Sequence, residues 1–184
     1  YMAHVMEKTH PGLELYIFDN YKKKLEALRK DSMVYEVAAE ACGDVLLGLD
    51  ANLQNEYQKL IAGEEPGDTW RLLILNNEDV FQAVSADKTA LAALRNLTGK
   101  YRMLHILVIL GNVPNIQVVY GVPEIYKMVK ESRNLLFFDN LENCKLVDVP
   151  LAVIRRNKKK IETGDAFYLA GNECWKIKTP LALP

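Results

Sequence analysis

The run MLHILVIL (residues 103–110) constrains the fold of this chain more than any other stretch. Nearly continuous Leu, Ile and Val predict a central parallel strand covered on both faces. LELYIFDN (13–20), WRLLIL (70–75) and NLLFF (134–138) are shorter runs of the same character and read as further strands. Segments of helical period separate them. YKKKLEALRKD (21–31) carries Leu25 and Leu28 as its apolar spots. From Val37 to Ile61, Ala38, Ala41, Val45, Leu49, Leu53, Tyr57 and Leu60 recur every three or four residues up to Gly63. Gly43 and Gly48 inside that stretch each cost about 1 kcal/mol relative to Ala, which leaves open one helix or two.

Further helices are predicted from near Glu78, over 85–100 with Ser85 or Asp87 as cap and Gly99 as stop, and over 123–132 with Pro123 in the first turn. GDAFYLAGNECWKIK (164–178) reads as a hairpin turning at Gly171-Asn172. Strands alternating with helices predict an α/β fold, a mainly parallel sheet flanked by helices with a C-terminal antiparallel hairpin. The chain has 184 residues, which fits a single domain over 1–184. Residues 1–12 read as the end of an amphipathic helix with Met2, Val5 and Met6 on one side, and predict that a segment belongs upstream.

A net charge of -1 gives no electrostatic reason to expect nucleic acid as a partner. The basic run RRNKKK (155–160) lacks interleaved aromatics and reads as a solvated connector, with an acidic protein surface as its functional alternative. Cys42, Cys144 and Cys174 show no metal-ligand or disulfide spacing and suit a reducing compartment. No run approaches the length of a membrane span.

The chemistry centres on NNED (76–79), which closes the WRLLIL run. A nucleoside triphosphatase needs a glycine-rich loop with lysine for the phosphates and acidic residues after a second strand for magnesium and water. No GxxxxGK[ST] occurs in the chain, and Asn76 and Asn77 stand where the acids would be. Asparagine is a poor magnesium ligand and cannot act as a base. Glu78 and Asp79 follow, but a turn or helix start there would aim them elsewhere. The residues alone read as a strand end with a helix cap and an acidic first turn. His105 reads as a hydrogen-bonded core histidine; His4 and His10 carry no pattern, and Glu64-Glu65 as loop carboxylates. NVPNIQVVYGVP (112–123) reads as a surface loop, with Val118 to Tyr120 in its centre read as buried strand.

TGDAFYLAGNECWKIKTPLA (163–182) resembles the closing hairpin of FtsK/SpoIIIE-type ring ATPases, and MLHILVILGNVPN (103–115) is similar to the strand that follows their magnesium strand. LELYIFDN resembles the strand after the phosphate-loop helix. With YIFDNYKKKLEAL and NLLFFDNLENCKLVDVP, the likeness narrows to the last, often degenerate ATPase-like domain of bacterial type VII secretion motors. The resemblance implies a RecA-like P-loop NTPase fold whose phosphate-loop segment is missing from these residues. It places Asn76 and Asn77 at the magnesium and water-activating positions and Asn112 near the sensor position. ATP and Mg2+ are then weak or absent ligands and the chain is expected to be an inactive ATPase. Implied partners are neighbouring ATPase domains of the same polypeptide, secreted protein substrates and a homo-hexamer; the implied location is a cytoplasmic domain of a membrane-anchored protein. Two alternatives remain open at this point: an active ATPase whose phosphate loop lies upstream, with Glu78 or Asp79 supplying the charge, and a DNA-translocating motor.

Overall fold

The computed structural model describes residues 2–29, 33–65, 67–158 and 161–179. Lys159 and Lys160 of the basic run, residues 180–182 of the hairpin motif and the side chains of Met2 and His4 lie outside the described residues. The chain divides into two compact units, Met2–Val113 and the residues from Pro114 onward.

The first unit holds a parallel sheet. Its strands are β1 (Glu14–Phe18), β2 (Val34–Glu36), β3 (Arg71–Asn76) and β4 (Ile106–Gly111), in the order β2-β1-β3-β4. β3 pairs on both sides and all six of its residues are buried, as its apolar run demands. Its helices are α1 (Met2–Thr9), α2 (Ala41–Ile61), α3 (Glu78–Ala86) and α4 (Lys88–Thr98). α2 is one continuous helix: Cys42, Leu46, Leu49 and Leu53 form its buried stripe, and that burial outweighs the two glycines. α4 starts where Asp87 accepts hydrogen bonds from the Thr89 and Ala90 N–H groups and stops at Gly99, as its sequence predicts.

Four sequence expectations change in this unit. Ile106 to Leu110 of MLHILVIL fall in β4, which among the described residues pairs with β3 alone and so is not seen as a central strand; these residues are half-buried apart from Leu107 at 36 % exposure, while Leu104 is buried and Met103 exposed. His105 lies just before β4 with φ 52°, and its ring stacks on Trp70 at 4.9 Å, with His10 on Trp70 at 4.2 Å. Residues 21–29 hold a single 3-10 turn, Glu26–Leu28, because the Asp19 carboxylate takes the Leu25 N–H and Lys23 sits at positive φ. In α1 it is Ala3 that is buried, while Val5 is exposed.

The second unit holds α5 (Glu124–Ser132), α6 (Leu151–Arg156) and an antiparallel sheet β5-β6-β7 of Asn134–Phe137, Asp165–Ala170 and Glu173–Lys178. The predicted hairpin is present, turning at Gly171 with φ 62°, and β5 joins it in a sheet distinct from the parallel one. Phe167 and Leu169 pack with Leu141 on the inner face. Val118 to Tyr120 is not a buried strand: Val119 and Tyr120 are exposed, Tyr120 fully. Arg155 and Arg156 end α6, where cations complement the negative end of the helix dipole.

Asp165 anchors this sheet. Its buried carboxylate lies 2.7 Å from Lys176 Nζ and 2.6 Å from Lys178 Nζ, and these two hydrogen bonds hold it well below the usual carboxylate range. A depressed folded pKa contributes stability above the ordinary carboxylate range and loses it as pH falls. Asp165→Asn is therefore expected to lower the melting temperature at neutral pH, with the gap to wild type closing as the solution is acidified. Thermal melts across the acid range check this.

Candidate functional site

Three apolar strands of the parallel sheet end in polar residues at the same carboxyl edge: β1 in Asp19, β3 in Asn76-Asn77 and β4 in Gly111-Asn112. This edge is where open parallel sheets bind their ligands. Asp19 is 1 % and Asn76 2 % exposed. A carboxylate only accepts hydrogen bonds, so both neighbouring amides turn their nitrogens toward it. Asn76 Nδ2 donates to Asp19 Oδ1 at 2.8 Å and Asn77 Nδ2 donates to the same oxygen at 3.3 Å. Asp19 Oδ2 accepts from the Leu25 N–H at 2.7 Å and from the Tyr35 hydroxyl at 3.1 Å.

The remaining half of the Asn76 amide is also used. Asn112 Nδ2 donates to Asn76 Oδ1 at 2.8 Å. The backbone is shaped to allow this. Asn112 takes a left-handed conformation with φ 53°, which asparagine tolerates. Asn77 has φ 83° and ψ 159°, a region nearly restricted to glycine that costs on the order of 1–3 kcal/mol. Its N–H is tied to the Gly111 carbonyl at 3.2 Å. A Cβ on Gly111 would stand 2.9 Å from Asn76 Oδ1, closer than side chains pack. Gly111→Ala is therefore expected to break the Asn76–Asn112 contact and to destabilise by about 1–3 kcal/mol, readable in urea melts and in the amide resonances of the Asn112 side chain.

The electrostatics follow from the bonding. Burial pushes the Asp19 carboxyl up, but the Leu25 N–H, Asn76, the Asn20 N–H and Tyr35 together outweigh it, and its pKa lies below the ordinary value. Tyr35 is pushed up to about 12 by burial and by its bond to Asp19, so it remains a donor. Asp19 is thus an ionised, weakly basic carboxylate whose two oxygens each already hold two donors. It has no lone pair directed at a cation and little capacity to take a proton.

The structure brings Asn76, Asn77 and Asn112 together and leaves Glu78 and Asp79 out. Both acids are exposed on the first turn of α3, and Glu78 accepts a hydrogen bond from Gln82. Asn77 does precede α3 in the cap position, but its side chain makes no cap bond because Asp19 claims it. Asp19 and Tyr35 are the residues sequence reasoning left without a role. These residues do not fit a magnesium–nucleotide centre: the strand-end carboxylate is saturated and the strand-end amides are bonded to it and to each other. Among the described residues no three His, Cys, Asp or Glu side chains come close enough to share a metal ion. Among them too, no helix is long and apolar enough to cross a membrane.

No family model matches the chain, and no curated protein matches it by sequence. Solved structures share its fold, two EssC fragments among them. The cytoplasmic domain of EssC superposes with a TM-score of 0.69 over 97 % of this chain at 20 % identity, and the match spans 36 % of that chain. EssC (ATPases 2 and 3) from Geobacillus thermodenitrificans superposes with a TM-score of 0.70 over 96 % at 20 % identity, spanning 33 % of that chain. The chain thus spans about a third of the length of these structures and has their α/β, RecA-like architecture.

Proposed function

We propose that this chain is a non-hydrolytic ATPase-like module of a type VII secretion motor, acting in the engagement of exported proteins or the regulation of their export. One observation supports the inactive part of this reading: Asn76, which the resemblance puts at the magnesium position, is locked between Asp19 and Asn112. The likeness to EssC, of which a cytoplasmic domain and ATPases 2 and 3 are solved, supports neighbouring ATPase domains in one polypeptide and a cytoplasmic setting; attachment to the membrane and a hexameric assembly are part of the proposal. In such a motor the neighbouring domains hydrolyse ATP and this module supplies a rigid docking platform. Its parallel sheet is tied together at the carboxyl edge by a network that needs no ligand to complete it.

Photo-crosslinking with azido-ATP and magnesium on the assembled motor tests the reading. Label is expected on peptides from neighbouring ATPase domains and none on peptides covering residues 13–112. Metal-dependent label on the peptide carrying Asn76 to Asp79 would contradict it.

A further inference from the structure

Between β1 and the 3-10 turn the chain reads Asn-Tyr-Lys-Lys-Lys, residues 20–24. Tyr21 is 80 % exposed, and the three lysines beside it are exposed as well. Adjacent like charges repel, and a stretch of this kind left to itself stays an open coil. This one is fixed in place. The Asn20 side-chain oxygen accepts the Lys22 N–H at 3.0 Å, and the Asn20 carbonyl accepts the Lys23 N–H at 2.8 Å. The Lys23 carbonyl accepts the Glu26 N–H at 3.1 Å, and the buried Asp19 carboxylate accepts the Leu25 N–H at 2.7 Å. Leu25 and Leu28 then pack on the core of the sheet. Lys23 itself has φ 48°, a left-handed conformation in which glycine or asparagine is favoured over a long side chain. The fold thus keeps a lysine where the backbone favours glycine, two residues from an aromatic ring that stands in water.

We infer that this loop is a docking surface for a short acidic segment of a protein partner, with carboxylates against the lysines and an apolar side chain against the Tyr21 ring. A loop already ordered loses little conformational entropy on binding, and tyrosine is among the side chains that contribute most when a partner covers them. The charges choose the occupant. Among the described residues the one carboxylate paired with these lysines is that of Glu26, half exposed and 3.3 Å from Lys23 Nζ. A partner's carboxylates would meet Lys22 and Lys24 and compete with Glu26 for Lys23. Arg29 is drawn instead to the Tyr35 ring, 5.8 Å from its centroid. Basic clusters that hold anionic membranes carry about four to eight cations, more than this loop offers. Nucleic acid wants a broad basic face, which a chain of net charge -1 does not favour. This inference stands apart from the secretion reading, since it rests on the loop alone.

The probe is a fluorescein-labelled peptide of alternating glutamate and leucine, titrated with the full chain at low salt and followed by anisotropy. Saturable binding is expected, weakened about threefold by Lys22→Ala or Lys24→Ala and about tenfold by Tyr21→Ala, and kept by Tyr21→Phe. Glu26→Gln removes the competing carboxylate and should tighten binding about twofold. Lys23→Gly separates docking from folding: it should weaken binding while the melting temperature stays at or above that of wild type, because the left-handed backbone relaxes. Lys59→Ala, in the last turn of α2, makes the same change of net charge and should leave binding as it is. The inference is overturned if the peptide does not bind, or if Lys59→Ala weakens binding as much as Lys22→Ala. It is equally overturned if phosphatidylglycerol vesicles or duplex DNA bind the loop more tightly than the peptide does.

Discussion

Asn76→Asp, the substitution that would place an acid at the strand end, is expected to destabilise the fold by about 3–5 kcal/mol at neutral pH, the usual cost of an uncompensated charge in a buried site. The new carboxylate would stand at the position from which Asn76 now donates to Asp19 across 2.8 Å. Two carboxylates at that separation cannot both ionise, so one of them keeps its proton well above the ordinary carboxylate range. A raised folded pKa gives stability below the unfolded value and loses it as pH rises through the window up to the folded one. The variant should therefore approach wild-type stability in acid and fall behind as pH rises. Wild type runs in the opposite sense, because its Asp19 is depressed and loses its contribution as pH falls. Urea unfolding at mildly acid and neutral pH resolves the two slopes. A variant as stable as wild type at neutral pH would mean that Asp19 and position 76 do not share a buried hydrogen bond.

Asp19→Ala is the second large effect, expected at about 3 kcal/mol from the loss of an acceptor serving several buried or half-buried donors. Asn76, Asn77, Tyr35 and the Leu25 N–H would all lose their partner, and only the half-exposed ones can turn to water. The strained backbone at Asn77 would also lose a restraint, so helix α3 should start less firmly. The variant should show a flatter acid limb in its stability profile, since the depressed carboxyl is gone. Denaturant melts measure the first expectation and their pH dependence the second. A loss below about 1 kcal/mol, the worth of a single net hydrogen bond, would contradict the network.

The strands and most helices were legible because apolar period is a local property of sequence. WRLLIL, flanked by neighbours on both sides, became the buried β3, and Asp87 and Gly99 bounded α4 where their chemistry places them. What composition could not convey is how many strands lie beside a given one: MLHILVIL, read as central, has β3 as its one strand partner among the described residues. β2 went unread because three residues, Val34–Glu36, show too little alternation to register. The site was half legible. Asn76 and Asn77 stand out as polar residues closing an apolar run, Asn112 comes from the family resemblance alone, and Asp19 closes YIF in the same way as Asn76 closes its run. That shared signal was available, but register across parallel strands is what turns three separate strand ends into one network.

The strand-end amides are held by one another and by Asp19, and on the function proposed above a magnesium-bound nucleotide does not engage them. NMR of the Asn76 and Asn112 side-chain amides during titration with ATP and magnesium tests it most directly. The account predicts resonances that stay in place up to millimolar nucleotide, with the Asn76–Asp19 and Asn112–Asn76 contacts intact. Metal-dependent shifts of those amides that saturate at micromolar nucleotide would contradict it.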